Sequence, residues 1–256
     1  ILASTNLMTF SQEEVEETKE KSEPSRFQFG IDMSAYFASK SYSQFLDGSH
    51  HQGVARSLTN YYTKPIIEER LGYPIKGWEY SGNTTYDISL GVGGFAGFKL
   101  QEDLSIVAKF NFAILKMSAP VVLELNDPGA FTGSYVETSV TAQEQRFDVG
   151  LGFEKEFEIE SKIKPFASFG VNMNYIQLEK HNYNVSGLNY NIIRILRIEG
   201  PAGNQQITYK KVDGFGYGVF AEIGAKYKLN DKYSAALGIN AMLQSNRNYV
   251  ENLGLN

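Results

Sequence analysis

Apolar and polar residues alternate along seven stretches of this chain. In the clearest stretch, residues 104–114, Leu104, Ile106 and Phe110 occupy one set of alternate positions, and Ser105 and Lys109 occupy the other. Successive side chains of a β-strand point to opposite faces of its sheet, so this pattern predicts a strand with one apolar and one polar face. The other six stretches are 27–37, 86–100, 145–159, 164–178, 215–229 and 233–243.

The gaps between these stretches are alternately long and short. Those after the first, third and fifth contain tens of residues, whereas 101–103, 160–163 and 230–232 have the length of tight turns. Long loops at one rim and short turns at the other are typical of bacterial outer-membrane barrels. The pattern therefore predicts an all-β, antiparallel up-and-down transmembrane β-barrel of about eight strands, with long extracellular loops and short periplasmic turns.

Composition narrows the class of protein. Hydrophobic residues make up 42% of the 256 residues, and no apolar run approaches the 18 residues of a membrane-spanning helix. A net charge of −5 without a basic stripe makes nucleic acid an unexpected partner. The absence of Cys excludes disulfides and Cys-based zinc sites. Many of the 24 Gly lie within the stretches, as expected where side chains crowd a narrow lumen.

The two ends of the sequence have their own predicted roles. Residues 1–12 are apolar or small and uncharged, which we interpret as the remnant of a signal peptide; a short N-terminal strand is the alternative. Residues 13–25 are an acidic periplasmic lead-in, and 26–256 are the barrel domain. Seven strands would leave two open edges in lipid, so we predict an eighth strand beyond Asn256.

The long loops are not featureless. Residues 121–125 and 135–140 flank a turn sequence and are predicted to extend a barrel hairpin, as are 189–198 and 206–211, although the second pair could instead cross the membrane and give ten strands. Residues 65–72 begin with Pro and end with Gly, which favours a short surface helix. Apolar loop residues either bind a partner or pack as a lid over the barrel mouth; they are Tyr61, Tyr62, Ile66, Ile67, Trp78, Tyr80, Ile192, Ile193, Ile195 and Leu196.

The polar face of the predicted strands carries charge into the lumen. The predicted lumen network consists of Asp32, Asp87, Lys99, Lys109, Arg146, Asp148, Glu154, Glu222 and Lys226. Buried charges persist when they are paired, and since Lys109 lies across one hairpin from Arg146 and Asp148, we expect ion pairing within this group as part of one salt-bridged plug. The alternative is that these charges line a selective ion path.

The segment 95–106, a hairpin with a tight acidic turn, resembles the small outer-membrane barrel families, namely OmpA/OmpX-type and PorT-like barrel-domain proteins. This resemblance covers about 27–243 and implies an integral protein of the Gram-negative outer membrane. It implies a non-enzymatic structural or accessory role, with outer-membrane lipid and envelope proteins as partners, the latter through the loops. A narrow channel for small solutes or ions is the alternative, and a soluble lipid-carrying barrel a more distant one.

A barrel hydrolase is the remaining alternative. Asp47, Ser49, His50 and His51 cluster in the first long loop, and His181 lies just above the fifth stretch, so a catalytic set or a metal site could be drawn from them. Surface-loop histidines are usually ordinary polar loop residues. We therefore predict no catalytic residues, no cofactor and no metal site.

Overall fold

A computed structural model describes residues 2–12, 26–38, 46–49, 53–82, 84–127, 129, 133–159, 161–192, 196–199, 206–209, 212–230 and 233–246. Its strands and helices follow in the order β1 (Leu2–Gln12), β2 (Phe27–Ala38), α1 (Val54–Thr59), α2 (Thr63–Leu71), β3 (Ile75–Tyr80), β4 (Thr85–Tyr86), β5 (Ser89–Lys99), β6 (Leu104–Leu125), β7 (Ser134–Glu156), β8 (Ile163–Val185), β9 (Leu188–Asn191), β10 (Leu196–Glu199), β11 (Gln206–Tyr209), β12 (Val212–Lys228) and β13 (Tyr233–Ser245).

Eight of these strands close into a ring. Each pairs antiparallel with its neighbours in the order β1-β2-β5-β6-β7-β8-β12-β13, and β13 pairs back to β1. All seven stretches of alternating residues are ring strands, which confirms the predicted up-and-down barrel. Among the described residues, no helix is long and apolar enough to cross a membrane.

The two faces of the ring are those the alternation predicts. Along β2, Phe29 and Ile31 are exposed on the outside, whereas Asp32 and Tyr36 are buried in the lumen. The same division holds on β7, where Val149 and Leu151 point out and Asp148 points in. The apolar stripes therefore face outward and the polar stripes face inward.

The segment 1–12 corrects two of the predictions. It is not set apart as a leader remnant, because Leu2–Gln12 is β1, a ring strand between β13 and β2. This strand takes the place that we expected a strand after Asn256 to fill. The lead-in 13–25 lies outside the described residues; the strand ends it connects meet at the short-turn rim, where Gln12 pairs with both Phe29 and Tyr233.

Three strands rise well above the rest of the ring. β6, β7 and β8 have 22 or 23 residues, against 11 to 13 in β1, β2, β5 and β13. Their upper halves form a wall that β3 extends on one side and β9 on the other. β10 and β11 pair only with each other, so no described strand of this region enters the ring and the ten-strand alternative is wrong.

Two short helices close against the inner face of this wall. The helix predicted from Pro65 and Gly72 is α2, which ends at Gly72 in the left-handed conformation with a φ of 80°. At its start, the side-chain Oδ1 of Asn60 accepts hydrogen bonds from the backbone N–H groups of Tyr62 (2.8 Å) and Thr63 (3.3 Å). These two contacts fix the turn between α1 and α2.

The space between helices and wall is filled by apolar side chains, which we call the cap core. Its buried members are Leu46, Val54, Leu58, Ile67, Ile75, Met117, Ala119, Val121, Leu123, Leu125, Val140, Ala142, Ile176, Leu178, Tyr183, Val185, Ile192 and Val212. The lumen is therefore polar in its lower part and continues upward into an apolar interior. Trp78 and Tyr80 pack against the cap core, as a lid would, while Tyr61, Tyr62 and Ile66 stay exposed.

Candidate functional site

Inward-facing polar side chains occupy the lumen, and most of the predicted network is among them. Asp32, Arg146, Asp148, Glu154 and Glu222 are buried, and Lys99, Lys109 and Lys226 are partly buried. Lys99 is the last residue of β5, next to the short-turn rim, and the others belong to three groups along the barrel axis, which we describe from that rim upward.

Asp87 is the exception, because it is exposed rather than in the lumen. Its strand is interrupted: Tyr86 pairs with Met117, whereas Gly91 pairs with Ala113, so the 87–90 stretch contains one residue more than its partner. An extra residue of this kind is a β-bulge. The residues before and after a bulge do not follow one continuous alternation of faces. The simple alternation therefore assigned Asp87 to the wrong side.

The lower group is centred on Lys226 of β12. Its ammonium donates to Glu154 Oε1 at 2.5 Å and to Glu156 Oε1 at 2.7 Å, both on β7. The same ammonium lies 5.4 Å from the centre of the Phe166 ring, within the range of a cation–π contact. This group joins β12 to β7, the two strands that flank β8, just above the short-turn rim.

The middle group is centred on Lys109 of β6, whose ion pair is with Glu222 of β12 and not with the expected carboxylate across the hairpin, Asp148. Lys109 sits opposite Gly150, which has no side chain, and its stem reaches across the lumen to donate to Glu222 of β12. Its ammonium also lies 3.5 Å from Ser168 Oγ. Asp32 faces the same ion pair from β2.

The upper group lies where the polar lumen meets the cap core. Arg146 and Glu144 of β7 are fully buried and form an ion pair at 3.6 Å. Tyr86 donates its hydroxyl to Glu144 at 2.5 Å, and Gln244 Nε2 donates to Asp148 Oδ1 at 2.7 Å. Sequence reasoning missed Glu144 because it lies just before the stretch 145–159.

Aromatic rings and glycines fill the lumen between the charged groups. A Cβ placed on Gly170 would lie 2.7 Å from the Phe220 ring, and one on Gly152 would lie 2.9 Å from it. Phe166 lies in the same way over Gly224 and Gly238. The sequence does contain a signal for this filling. An aromatic residue stands where the alternation would place a polar, inward-facing residue, and the neighbouring strands have glycines at the same level.

Of the residues considered for a hydrolase, the structure describes Asp47, Ser49 and His181. His181 is buried in the cap, where its Nε2 donates to the Leu46 carbonyl at 2.8 Å. Asp47 Oδ1 accepts a hydrogen bond from the Ser49 backbone N–H at 2.7 Å and so shapes a turn. His50 and His51 lie outside the described residues. Within the described part of the chain, no group of three or more His, Cys, Asp or Glu side chains could hold a metal ion.

Two titratable groups outside the polar lumen have pKa values that their surroundings shift. At the short-turn rim, the hydrogen bond from Lys155 keeps the pKa of Asp103 below its ordinary value, and the two side chains are 2.5 Å apart. In the cap, burial raises the pKa of Tyr183 to about 12, so its hydroxyl stays protonated at 3.2 Å from Thr138 Oγ1. Tyr183 is fully buried, whereas Asp103 lies at the surface.

A row of aromatic side chains marks the outer surface at the level of the upper group. Rings on four consecutive ring strands approach one another, with centroid distances of 4.7 Å for Phe112–Phe147, 6.5 Å for Phe147–Tyr175 and 5.0 Å for Tyr175–Phe215. Above this row the outward positions become polar, beginning with Gln145 and Gln177. Such girdles occur where barrel strands leave the hydrocarbon for the headgroup region.

Comparison with family models and with curated proteins finds no match. Among solved structures, the chain is similar to the N-terminal β-barrel domain of Pseudomonas aeruginosa OprF, at 14% sequence identity and a TM-score of 0.19. The similarity covers 65% of this chain and 92% of that one. The assignment of the fold stands on the strand pairing described above.

Proposed function

We propose that this protein is an integral barrel of the Gram-negative outer membrane with a non-enzymatic, structural or accessory role. The outward apolar band of the ring supports this location. On β2 the band runs from Phe27 to Phe37, and both ends are more than one-third exposed. A tilted strand of this length rises roughly 25 Å, which is the height of the apolar band of outer-membrane barrels.

The packed lumen is the observation that carries the structural role. Lys109 of β6 reaches across the lumen to Glu222 of β12, and Lys226 of β12 reaches past β8 to Glu154 of β7, so ion pairs join non-adjacent strands at two levels. Phe220 and Phe166 fill the space beside these ion pairs, against glycines. Above them the cap core covers the mouth. A lumen occupied in this way leaves no continuous path for a solute.

Conductance in planar bilayers tests this proposal against the narrow-channel alternative. We expect the purified, refolded barrel to show no stable open level, while a porin inserted under the same conditions conducts. The double variant Lys109→Ala/Phe220→Ala removes two of the groups that fill the lumen and should produce openings. A steady open level in the unmodified protein would establish the channel and reject the closed barrel.

Fractionation tests the proposed location separately. Expressed behind a bacterial leader in a Gram-negative host, the protein should sediment with the outer membrane and resist extraction by carbonate and urea. Recovery in the periplasmic fraction without detergent would support the soluble lipid-carrying alternative.

The accessory role depends on the exposed aromatic pair of the cap. Tyr61 and Tyr62 are 83% and 78% exposed, with ring centroids 5.4 Å apart in an edge-to-face arrangement. Large exposed aromatic side chains, such as these two on the turn between α1 and α2, are typical of contact sites for other proteins. An envelope protein that co-purifies with the native protein in mild detergent should be lost with Tyr61→Ser/Tyr62→Ser. Unchanged co-purification would place the contact elsewhere.

A further inference from the structure

The outer face of the wall carries a row of two lysines and a glutamine. Lys116 of β6 pairs with Gln143 of β7, and Gln143 pairs with Lys180 of β8, so the three side chains lie side by side. They point away from the barrel, because the residues that alternate with them, Met117 and Ala142, are buried in the cap core. Both lysines are exposed. We call these three residues the lysine row.

The lysine row stands just above the apolar band. On β6 it lies two outward positions beyond Phe112 of the aromatic row, and on β7 it lies two outward positions beyond Phe147. Four residues of a tilted strand rise about 10 Å along the membrane normal. The headgroup region of a bilayer is roughly 5–8 Å thick on each side, and lysine stems can bend toward it. The ammonium groups therefore reach the level of the lipid headgroups.

The space over Gln143 has a lysine on each side. Neighbouring strands are about 4.8 Å apart, so the backbones of the two lysines are about 10 Å apart and their flexible four-carbon stems can converge over the glutamine. Neither lysine forms an ion pair within the described part of the chain. Gln143 adds amide donors at the centre. Two ammonium groups and an amide that converge from three strands are donors of the kind that bind a phosphate group.

Two carboxylates stand at the ends of the lysine row. Asp87 lies beyond Lys116 on the side away from β7, where its backbone N–H donates to the Lys116 carbonyl at 2.9 Å. Glu179 is the extra residue of a bulge beside Lys180, and its Oε1 accepts a hydrogen bond from Gln177 Nε2 at 2.7 Å. The positive charge is therefore confined to the middle of the row. This arrangement favours one anionic group over a broad anionic surface.

Uncharged hydroxyl and amide groups continue the face above the lysine row. Ser118, Thr141 and Asn182 form the next row, and Ser139 and Asn184 follow on β7 and β8. All five are partly exposed, and Asn184 Nδ2 donates to Thr141 Oγ1 at 3.0 Å. Hydroxyl and amide side chains can both donate and accept hydrogen bonds, as the hydroxyl groups of a sugar do. A molecule with a phosphate group below and a sugar above matches this order of side chains.

We propose that the outer face of the wall binds a phosphorylated glycolipid of the outer leaflet. Its phosphate group lies over Gln143 between Lys116 and Lys180, its sugar lies against the hydroxyl and amide rows, and its acyl chains follow the apolar band below. This inference rests on the proposed membrane location and names the class of lipid that the barrel holds there.

Lipid retention by the purified protein tests this inference. Incubated in detergent with lipid A, a diglucosamine lipid with two phosphate groups, the protein should keep one molecule bound in native mass spectrometry. Lys116→Gln/Lys180→Gln should weaken this binding by about tenfold or more, because it removes both charge-assisted contacts. Lys64→Gln/Lys76→Gln removes the same charge from lysines of the cap and should bind lipid A as the wild type does.

Two further comparisons separate the phosphate from the sugar. Lys116→Arg/Lys180→Arg keeps the charge and should keep the binding. Lipid A without its phosphate groups, and phosphatidylglycerol, which has a phosphate group but no sugar, should each bind to the wild type about tenfold more weakly than lipid A. Equal binding by the glutamine variants of the row and of the cap would overturn the proposal. So would equal binding of lipid A and either of the other two lipids.

Failure of this inference can be told apart from failure of the proposed location. The binding measurement uses purified protein in detergent, so it does not depend on where a cell places the barrel. Recovery of the protein in the periplasmic fraction would reject the membrane location. A protein that sediments with the outer membrane but does not retain lipid A would reject the binding face alone.

Discussion

At the scale of single residues, glycine and charge together determine how the lumen is filled. The inward glycines are not equivalent. A Cβ on Gly91 would come within 2.5 Å of the Tyr36 ring and 2.6 Å of Ser34 Oγ, whereas one on Gly97, on the same face of the same strand, meets nothing closer than 3.6 Å. Only the first position requires the absence of a side chain.

Gly91→Ala should therefore destabilise the barrel by about 1–3 kcal/mol, since the new methyl group must displace Tyr36 from a packed interior. Gly97→Ala is the matched control and should leave the free energy of unfolding within about 1 kcal/mol of wild type. Urea titration of the protein in lipid vesicles measures both. Equal losses for the two variants would show that Tyr36 does not pack against Gly91.

The ion pairs of the lumen should also differ in strength from those of the rim. Lys109→Met leaves Glu222 buried without its partner and should cost about 3–5 kcal/mol of unfolding free energy. Lys155→Met breaks the pair with Asp103, which is exposed to water, and should cost less than about 1 kcal/mol. A small loss for Lys109→Met in the same urea titration would mean that Glu222 finds another partner.

At the scale of elements, the cap behaves as a layer packed on the barrel rather than as a set of loops. α2 presents Ile67 to the cap core, while its neighbour Ile66 is about half exposed. The single Trp of the chain, Trp78, packs against the same core from β3. Its fluorescence therefore reports on the cap alone.

Ile67→Asp places a charge in the apolar interior and should release α2, which would shift the Trp78 emission to the red. Ile66→Asp puts the same charge on the outer side of the same helix and should leave the emission unchanged. A difference in gel mobility between heated and unheated samples would show whether the ring itself remains folded. An unchanged spectrum in Ile67→Asp would contradict the packing of Trp78 with α2.

At the scale of the whole molecule, the outer surface divides into an apolar band and polar rims. Leu151 lies in the middle of the band on β7, and Gln145 lies on the same face above the aromatic row. Leu151→Lys should cost about 2–4 kcal/mol in bilayers, whereas Gln145→Lys should cost about 1 kcal/mol or less. Equal costs in a folding titration would show that the band is not immersed in hydrocarbon.

Sequence patterns predicted seven of the eight ring strands, and irregular backbone explains what they missed. The eighth strand, β1, shifts its register against β13 between Asn6 and Thr9, and against β2 between Asn6 and Met8. Its residues therefore do not keep one alternation throughout. The same kind of irregularity places Asp87 on the outside. The alternation of apolar and polar residues indicates which face of the sheet a side chain occupies only in regular strand, where successive side chains point to opposite faces.

The partners of the lumen charges were beyond sequence reasoning for a different reason. Which side chain Lys109 reaches depends on the register of four strands and on Gly150 leaving the nearer wall bare. Neither quantity is visible in one strand's pattern. Asp148 and Glu222 are buried and Lys109 is partly buried, on the face that the alternation indicates, while their pairing depends on the closed ring.

The ladder between β1 and β13 also imposes an order on biogenesis. The ring closes by pairing β1 with β13, its first and last strands along the chain. The sheet therefore keeps two open edges until the β12–β13 hairpin has joined it. Every intermediate before that moment carries two rows of unpaired backbone amides and carbonyls, which lipid cannot satisfy. In the membrane location proposed above, these two rows must therefore be paired with each other before either edge is exposed to hydrocarbon.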